Sequence, residues 1–362
     1  MKILLAGGGT AGHIEPALAV ARAWKQAHPE DELIFIGTAS GLENTLVPAA
    51  GFVLVHIPRV SIPRSLSLSL LKVPGQLISS VRAVKKILAD VDCAIGFGGY
   101  VSGPLYFAAA ITRKPFVIHE QNARPGWANR IGAFFTPFTA VSYPVLRGRL
   151  SRAELTGLPL RNDVIVAIRK SSSDWAKARL DAKKSIEDRF GLDSSKPLLF
   201  IFGGSQGSQA INSVIESSRN DIAALGVSIL HGVGKNNVLQ EESDSYKPLS
   251  YIDEMADCYL AADILIARSG AVTCAEAAAL ARYSLFIPLP IGNGEQSLNA
   301  ASLVAAGRAE VIEQSHFTSQ WLIENLPALL EKTSVVSEVG SDAGVHSVDK
   351  ITAIIERAAG VQ

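Results

Sequence analysis

The chain begins the same structural sentence twice. Lys2-Ile3-Leu4-Leu5-Ala6 runs straight into Gly7-Gly8-Gly9-Thr10-Ala11-Gly12-His13 and then a helical pattern, and Leu198–Phe202 runs into Gly203-Gly204-Ser205-Gln206-Gly207-Ser208 before another. A short apolar run, a glycine-rich turn and a helix in that order open a βαβ unit and commit the chain to a parallel sheet. After the first opening, Glu32–Gly37, Val53–Ile57, Cys93–Phe97, Pro115–His119 and Thr139–Ser142 read as strands, with helices at Ile14–His28, Leu77–Asp90 and Trp127–Phe134. After the second, Val227–Gly232, Ile264–Arg268, Ser284–Pro288 and Ala309–Glu313 read as strands, with helices at Ser208–Ser218, Val272–Leu280 and Gln296–Ala306.

The rhythm breaks between Gly157 and Pro197, where a polar, Lys-rich helix is expected at Trp175–Phe190. At 362 residues there is room for two domains. The expectation is an α/β protein of two Rossmann-like domains facing across a cleft, residues 1–160 and 161–344. A terminal helix within 345–362 carries Ile351, Ile354, Ile355 and Ala358 on one face and is expected to pack back on the first domain.

Glycine lets the backbone turn tightly against a phosphate, while a helix start offers N–H donors and a positive dipole end. In open parallel sheets such loops lie at the carboxyl ends of strands, where ligands bind. Gly7, Gly9 and Gly12 also satisfy G-x-G-x-x-G, but a nicotinamide site needs an acid at the end of the second strand. That strand ends Phe35-Ile36-Gly37-Thr38, and Glu30, Asp31 and Glu32 lie at its opposite end.

Composition excludes several classes. Lys and Arg balance Asp and Glu at 34 each, giving no reason to expect nucleic acid. Cys93, Cys258 and Cys274 are far apart, without metal-ligand or disulfide spacing. No segment reaches the roughly 18 apolar residues of a membrane-spanning helix. The only Asp-x-Asp, Asp90-Val91-Asp92, precedes a strand and so lies at the wrong end for a metal–diphosphate site.

Further polar islands follow strands: Gly96-Phe97-Gly98-Gly99-Tyr100-Val101-Ser102-Gly103-Pro104, His119-Glu120-Gln121-Asn122-Ala123-Arg124-Pro125-Gly126 and Arg268-Ser269-Gly270-Ala271-Val272-Thr273-Cys274-Ala275-Glu276. With the two glycine loops, Gly157-x-Pro159-x-Arg161 and Glu295-Gln296-x-x-Asn299, these strongly resemble the MurG family of peptidoglycan synthesis, in order and over essentially the whole chain. The resemblance implies a GT-B type glycosyltransferase fold. It also implies inverting transfer of N-acetylglucosamine from UDP-GlcNAc to the MurNAc 4-hydroxyl of undecaprenyl-pyrophosphoryl-MurNAc-pentapeptide (lipid I), giving lipid II, with no cofactor.

On residues, the resemblance implies that Glu276 accepts from the ribose hydroxyls and that Ile252 lends backbone atoms to uracil. Ser205, Gln206 and Arg161 would hold the diphosphate, and Gln296 would read sugar hydroxyls. Ala271, Val272 and Thr273 would line the donor site, and Thr10, Ala11, Gly12 and Asn122 would close on the donor sugar. The sequence departs from the family at Ala11, Leu158, Ala281, Tyr283 and Glu295, with Ala281 standing where glycine is usual.

Inverting displacement requires a base for the acceptor hydroxyl and stabilisation of the departing UDP. Loop donors, a helix N-terminus and Arg161 serve the second need without a metal. For the first, His13 and Glu120 both lie just beyond strand ends, and His13 is preferred for its titration range.

No Asp or Glu occurs from Asn44 to Ala89, where basic residues flank Leu66, Leu68, Leu70 and Leu71. That mixture suits an anionic membrane surface and predicts peripheral attachment at the cytoplasmic face of the membrane through Val60–Val73. The competing readings are a UDP-N-acetylglucosamine 2-epimerase, a nicotinamide-dependent dehydrogenase and a non-catalytic nucleotide-sugar sensor.

Overall fold

The computed structural model describes residues 1–61, 71–252, 254–291, 293–333, 340–342 and 344–361. Leu66, Leu68 and Leu70 lie outside them. The chain divides into two compact units, Met1–Arg161 with Ala343–Gln362, and Asn162–Asp342.

In the first unit, strands β1 (Lys2–Ala6), β2 (Glu32–Gly37), β3 (Val53–His56), β4 (Cys93–Gly96), β5 (Phe116–Glu120), β6 (Thr139–Val141) and β7 (Glu154–Leu155) form a seven-stranded sheet in the order β3-β2-β1-β4-β5-β6-β7. Every pairing is parallel. In the second, β8 (Leu198–Phe202), β9 (Ser228–Gly232), β10 (Tyr246–Leu249), β11 (Ile264–Ala267), β12 (Ser284–Phe286) and β13 (Ala309–Val311) form a six-stranded parallel sheet, β10-β9-β8-β11-β12-β13. Strand order reverses between β1 and β4, and again between β8 and β11. Each glycine loop therefore leaves its sheet at a switch point, where neighbouring connections diverge and open a crevice.

Both faces of the first sheet are covered. On one, helix Ala11–Ala27 contributes Ile14, Leu18 and Trp24, and the terminal helix Ser347–Ala359 adds Ile351, Ile354 and Ile355. On the other, Val84 of helix Val73–Ile87 packs beside Leu105, Tyr106 and Ala109 of helix Ser102–Thr112. The second sheet buries Ile211, Ile215 and Ile222 of helix Gln209–Ala224 with Leu322, Leu326 and Leu329 of helix Ser319–Thr333. Among the described residues, no helix is long and apolar enough to cross a membrane.

Helix Trp175–Phe190 has the expected ends because its caps are local: Asp174 accepts from the Lys177 N–H, and Gly191 closes it at φ 71°. Elsewhere the structure adds to or revises the sequence expectations. The edge strands β7 and β10 and helices Glu43–Ala49, Ser102–Thr112, Asn162–Ser173, Met255–Ala261 and Ser319–Thr333 are additional. Helix Gln296–Ala306 is two short helices, Glu295–Asn299 and Ala301–Ala305, breaking at Ala300.

Ala281, in the turn before β12, takes φ 53°. A side chain there carries the steric cost of the left-handed region, about 1–2 kcal/mol, which glycine avoids. Glycine's greater freedom in the unfolded chain offsets part of this. Ala281→Gly is expected to raise unfolding stability by about 0.5–1 kcal/mol, measured as a higher denaturant midpoint with an unchanged slope.

Candidate active site

In the first unit, the loops after β1, β4 and β5 converge around His13. This residue sits in the first turn of helix Ala11–Ala27, not before it as the sequence pattern implies. Thr10 occupies the cap position but makes no side-chain cap; its Oγ1 instead lies 3.1 Å from His13 Nδ1. Gly98 and Gly99, both left-handed at φ 87° and 78°, form the wall opposite. A Cβ at Gly98 would lie 3.3 Å from His13 Nε2, and one at Gly99 would lie 2.5 Å from the Gly8 carbonyl oxygen. Burial pulls the His13 ring down to about 4, opposed by its hydrogen bond to the Gly8 backbone. The ring is therefore neutral at pH 7, as a base must be before it takes a proton.

Glu120 ends β5 and is buried. Its Oε1 accepts from the Asn122 N–H (2.9 Å) and Nδ2 (3.3 Å), and its Oε2 from the Gly126 N–H and Asn129 Nδ2 (both 2.9 Å). Burial raises its carboxyl, and these donors oppose that rise. The carboxylate thus braces the loop from Asn122 to Gly126 and ties it to helix Trp127–Gly132. Asn122 is half-buried beside it, as are Ala11 and Gly12, while Thr10 is exposed. Arg161, half-buried, closes the first unit's main segment.

The second unit's loop is equally tight. Gly204 and Gly207 take φ 97° and 76°. A Cβ at Gly207 would collide with the Val233 carbonyl, and one at Gly234 with that of Gln206. Ser205 is half-buried and Gln206 exposed. Asn237 Nδ2 donates to the Gln206 and Val233 carbonyls (2.9 and 3.0 Å), fastening this loop to the one after β9. The buried Arg268 spans further, donating to the Ile287 and Pro288 carbonyls, Ser208 Oγ and Gln314 Oε1.

Helix Ala271–Ala279 starts from Gly270 with no side-chain cap, so Ala271, Val272 and Thr273 form an uncapped first turn; Glu276, one turn on, is buried. Ile252 is buried against Gly232, where an added Cβ would lie 2.9 Å from its Cδ1. Gln296 Oε1 accepts from the Leu289 N–H (2.9 Å), and Asn299 Nδ2 donates to the Ser269 carbonyl (3.2 Å). Asp92 of the Asp-x-Asp accepts from the Lys2 N–H (2.8 Å), at the amino end of β1.

Sequence reasoning passed over Glu43, Asn129, Asn237 and the bracing role of Arg268. Glu43 matters most among them, since no acid stands at the end of β2 itself. Helix Glu43–Ala49 begins just beyond and returns a buried carboxylate to the first glycine loop.

Two doubly wound parallel sheets, each with a glycine loop at its switch point, make a fold that binds phosphate-bearing ligands at its strand ends, and the comparisons give its class as glycosyltransferase. Residues 3–140 match the glycosyltransferase family 28 N-terminal domain and residues 198–353 its C-terminal domain. The UDP-N-acetylglucosamine--N-acetylmuramyl-(pentapeptide) pyrophosphoryl-undecaprenol N-acetylglucosamine transferase of Paenarthrobacter aurescens is 41% identical over 97% of this chain and 94% of its own length. Its counterpart from Thermobifida fusca is 42% identical over 96% and 92%. The crystal structure of Acinetobacter baumannii MurG superimposes with a TM-score of 0.68 at 25% identity, covering 97% of this chain and 99% of that one. The chain belongs to the MurG family of glycosyltransferases.

His231, at the centre of the second unit, links the loops to stability. Its Nδ1 pairs with Tyr246 OH (3.0 Å) and its Nε2 with Asn212 Oδ1 (3.1 Å), while Asn212 Nδ2 donates to the Val233 carbonyl (2.9 Å). Burial lowers its ring to about 4, as it does for the buried His119. The unfolded chain takes protons near pH 6.5 and the folded one only near 4, so their contribution is complete above pH 7 and is lost as pH falls between these values. Unfolding free energy is expected to drop by about 1.4 kcal/mol per pH unit for each histidine between pH 6 and 4.5. Denaturant titrations should show a shallower drop for His231→Gln.

Proposed function

We propose that the chain transfers N-acetylglucosamine from UDP-GlcNAc, with inversion, to the 4-hydroxyl of MurNAc in undecaprenyl-pyrophosphoryl-MurNAc-pentapeptide, forming lipid II. The observation that carries this reading is 41% identity, over 97% of the chain, to a relative named for that reaction. The donor is assigned to the second unit. There the first turn at Ala271–Thr273 and the loop at Ser205 and Gln206 offer backbone donors to a diphosphate; Arg161, the last residue of the first unit's main segment, is assigned to the same diphosphate. Glu276 is assigned to the ribose, Ile252 to uracil and Gln296 to the sugar.

In the first unit, Thr10, Ala11, Gly12 and Asn122 are assigned to the sugar, and His13 is the base. Its neutral ring takes the proton of the acceptor hydroxyl as the oxygen bonds to the anomeric carbon, and UDP leaves with the electron pair of the broken bond. Glu120 is the positioning carboxylate of the neighbouring loop, because donors of that loop already engage both its oxygens. A lipid-linked acceptor places the protein at the cytoplasmic face of the membrane, in the cell-wall synthesis on which cell shape and division depend.

UDP release is expected only when UDP-GlcNAc and a lipid I analogue are both present. Formation of the 2-epimer from UDP-GlcNAc alone would establish the isomerase reading instead. His13→Ala is expected to lower kcat by about 100- to 10,000-fold without lowering the thermal midpoint.

The membrane contact is assigned to Val60–Val73 and the helix that follows. Leu71 is 80% exposed, and helix Val73–Ile87 turns Ile78, Arg82, Lys85 and Lys86 outward. Changing Leu66, Leu68 and Leu70 together to Ser is expected to abolish sedimentation with phosphatidylglycerol vesicles while leaving turnover of a water-soluble acceptor unchanged. Full sedimentation of that variant would sink the assignment.

A further inference from the structure

Glu43 is fully buried beneath the first glycine loop. Its Oε1 accepts from the Thr38 N–H (3.0 Å) and Tyr100 OH (2.7 Å), and its Oε2 from the Gly9 N–H (3.1 Å). The backbone is hollowed around it. A Cβ at Gly41 would overlap Oε2, one at Gly37 would lie 2.5 Å from Cγ, and one at Gly8 would lie 3.3 Å from Oε1. Burial opposes ionisation, yet the three donors outweigh it and hold the carboxyl below its ordinary range. Burial pushes Tyr100 up to about 12, so its hydroxyl keeps the proton it donates.

The N–H of Gly9 and the C=O of Gly8 belong to one planar peptide group. The nitrogen end donates to Glu43, and the oxygen end raises the His13 ring against the pull of burial. The Cβ built at Gly99 lies near both Gly8 O (2.5 Å) and His13 Nδ1 (3.5 Å), so the carbonyl and Nδ1 border the same space, and Thr10 Oγ1 lies 3.1 Å from Nδ1. Nε2 faces the other way, towards Gly98 and Asn129. Carboxylate and peptide are therefore joined by a hydrogen bond, and the imidazole lies against the far side of that peptide with Thr10 Oγ1 at its Nδ1.

We propose that Glu43 is the positioning residue for the base His13, acting through the Gly8–Gly9 peptide. This rests on the reading of His13 as base. A carboxylate on the peptide N–H polarises the carbonyl at its far end into a stronger acceptor. That carbonyl, with the Thr10 hydroxyl accepting beside it, holds the imidazole with its proton on Nδ1 and leaves the Nε2 lone pair bare for the acceptor hydroxyl. When Nε2 takes that proton, the new positive charge is stabilised by Glu43 across the peptide. No proton travels along the chain: the amide keeps its hydrogen, and the ring returns its extra proton to solvent after UDP leaves. In hydrolytic triads a carboxylate orients the histidine by direct contact; here a backbone amide stands between the two. The other ionisable groups facing the ring are Tyr100, packed over Gly9, and Glu120, reached through Asn129.

The test uses the full chain labelled with 15N-histidine, the His13 signals being those missing from His13→Ala. The wild-type ring is expected to carry its proton on Nδ1, and Glu43→Gln to give a mixture of tautomers. A wild-type ring protonated on Nε2, or an unchanged tautomer in Glu43→Gln, overturns the proposal, and the first result does not require Glu43→Gln to fold. In turnover, Glu43→Gln is expected to lower kcat at least tenfold with the KM for UDP-GlcNAc within twofold. In the His13→Ala background the same change should cost nothing further. An equal loss in both backgrounds would mean that Glu43 acts on the fold alone, and overturns the proposal. The ring spectrum requires no turnover, so failure of the transferase reading shows separately, as absence of acceptor-dependent UDP release.

Discussion

A parallel sheet covered by helices on both faces has almost nowhere to put polar chemistry except its strand ends. Both sheets of this protein are built that way, and the consequence runs through everything else. Strand interiors such as Leu198–Phe202 are wholly apolar and buried, so every group that can meet a ligand is pushed into the loops at the carboxyl edge. Those loops must be tight, because long ones would leave buried backbone groups unpaired. Glycine provides the tightness: Gly207 and Gly234 lie so close to facing carbonyls that neither has room for a side chain.

Tight glycine loops are intrinsically loose in the entropic sense, and the protein counters this with buried polar side chains that reach across from neighbouring loops. Glu43 holds the loop after β1, Glu120 the loop after β5, and Asn237 and Arg268 the loop after β8. Glu43, Asn237 and Arg268 each engage a backbone or side-chain group of a loop other than their own. On the reading of His13 as base, these bracing residues form a second layer that holds the reacting loop in place.

This division also governs what the sequence disclosed. Central strands and glycine loops were legible because their signals are local, and the caps of Trp175–Phe190 fixed that helix from its own residues. The ordered motifs carried the family and its reaction. Other elements gave no such signal. Helix Ser102–Thr112 is apolar nearly all round, since it is buried on several sides, and so shows little periodicity; β7 is two exposed residues, and β10 contains Pro248. Glu43 was out of reach for a different reason. Its partners Gly9 and Tyr100 are 34 and 57 positions away, and only the parallel pairing of β2, β1 and β4 brings the three together.

The terminal helix has a consequence for how the protein comes into being. Ile351, Ile354 and Ile355 share a core with Ile14, Leu18 and Trp24, so the first and last stretches of the chain complete the same unit. The second unit is in effect an insertion within the first. On the ribosome, the first sheet must wait with part of one apolar face uncovered while some 180 residues of another unit are made and folded. Loss of this helix would therefore uncover β4, β5 and the helix Ala11–Ala27 that follows the first glycine loop.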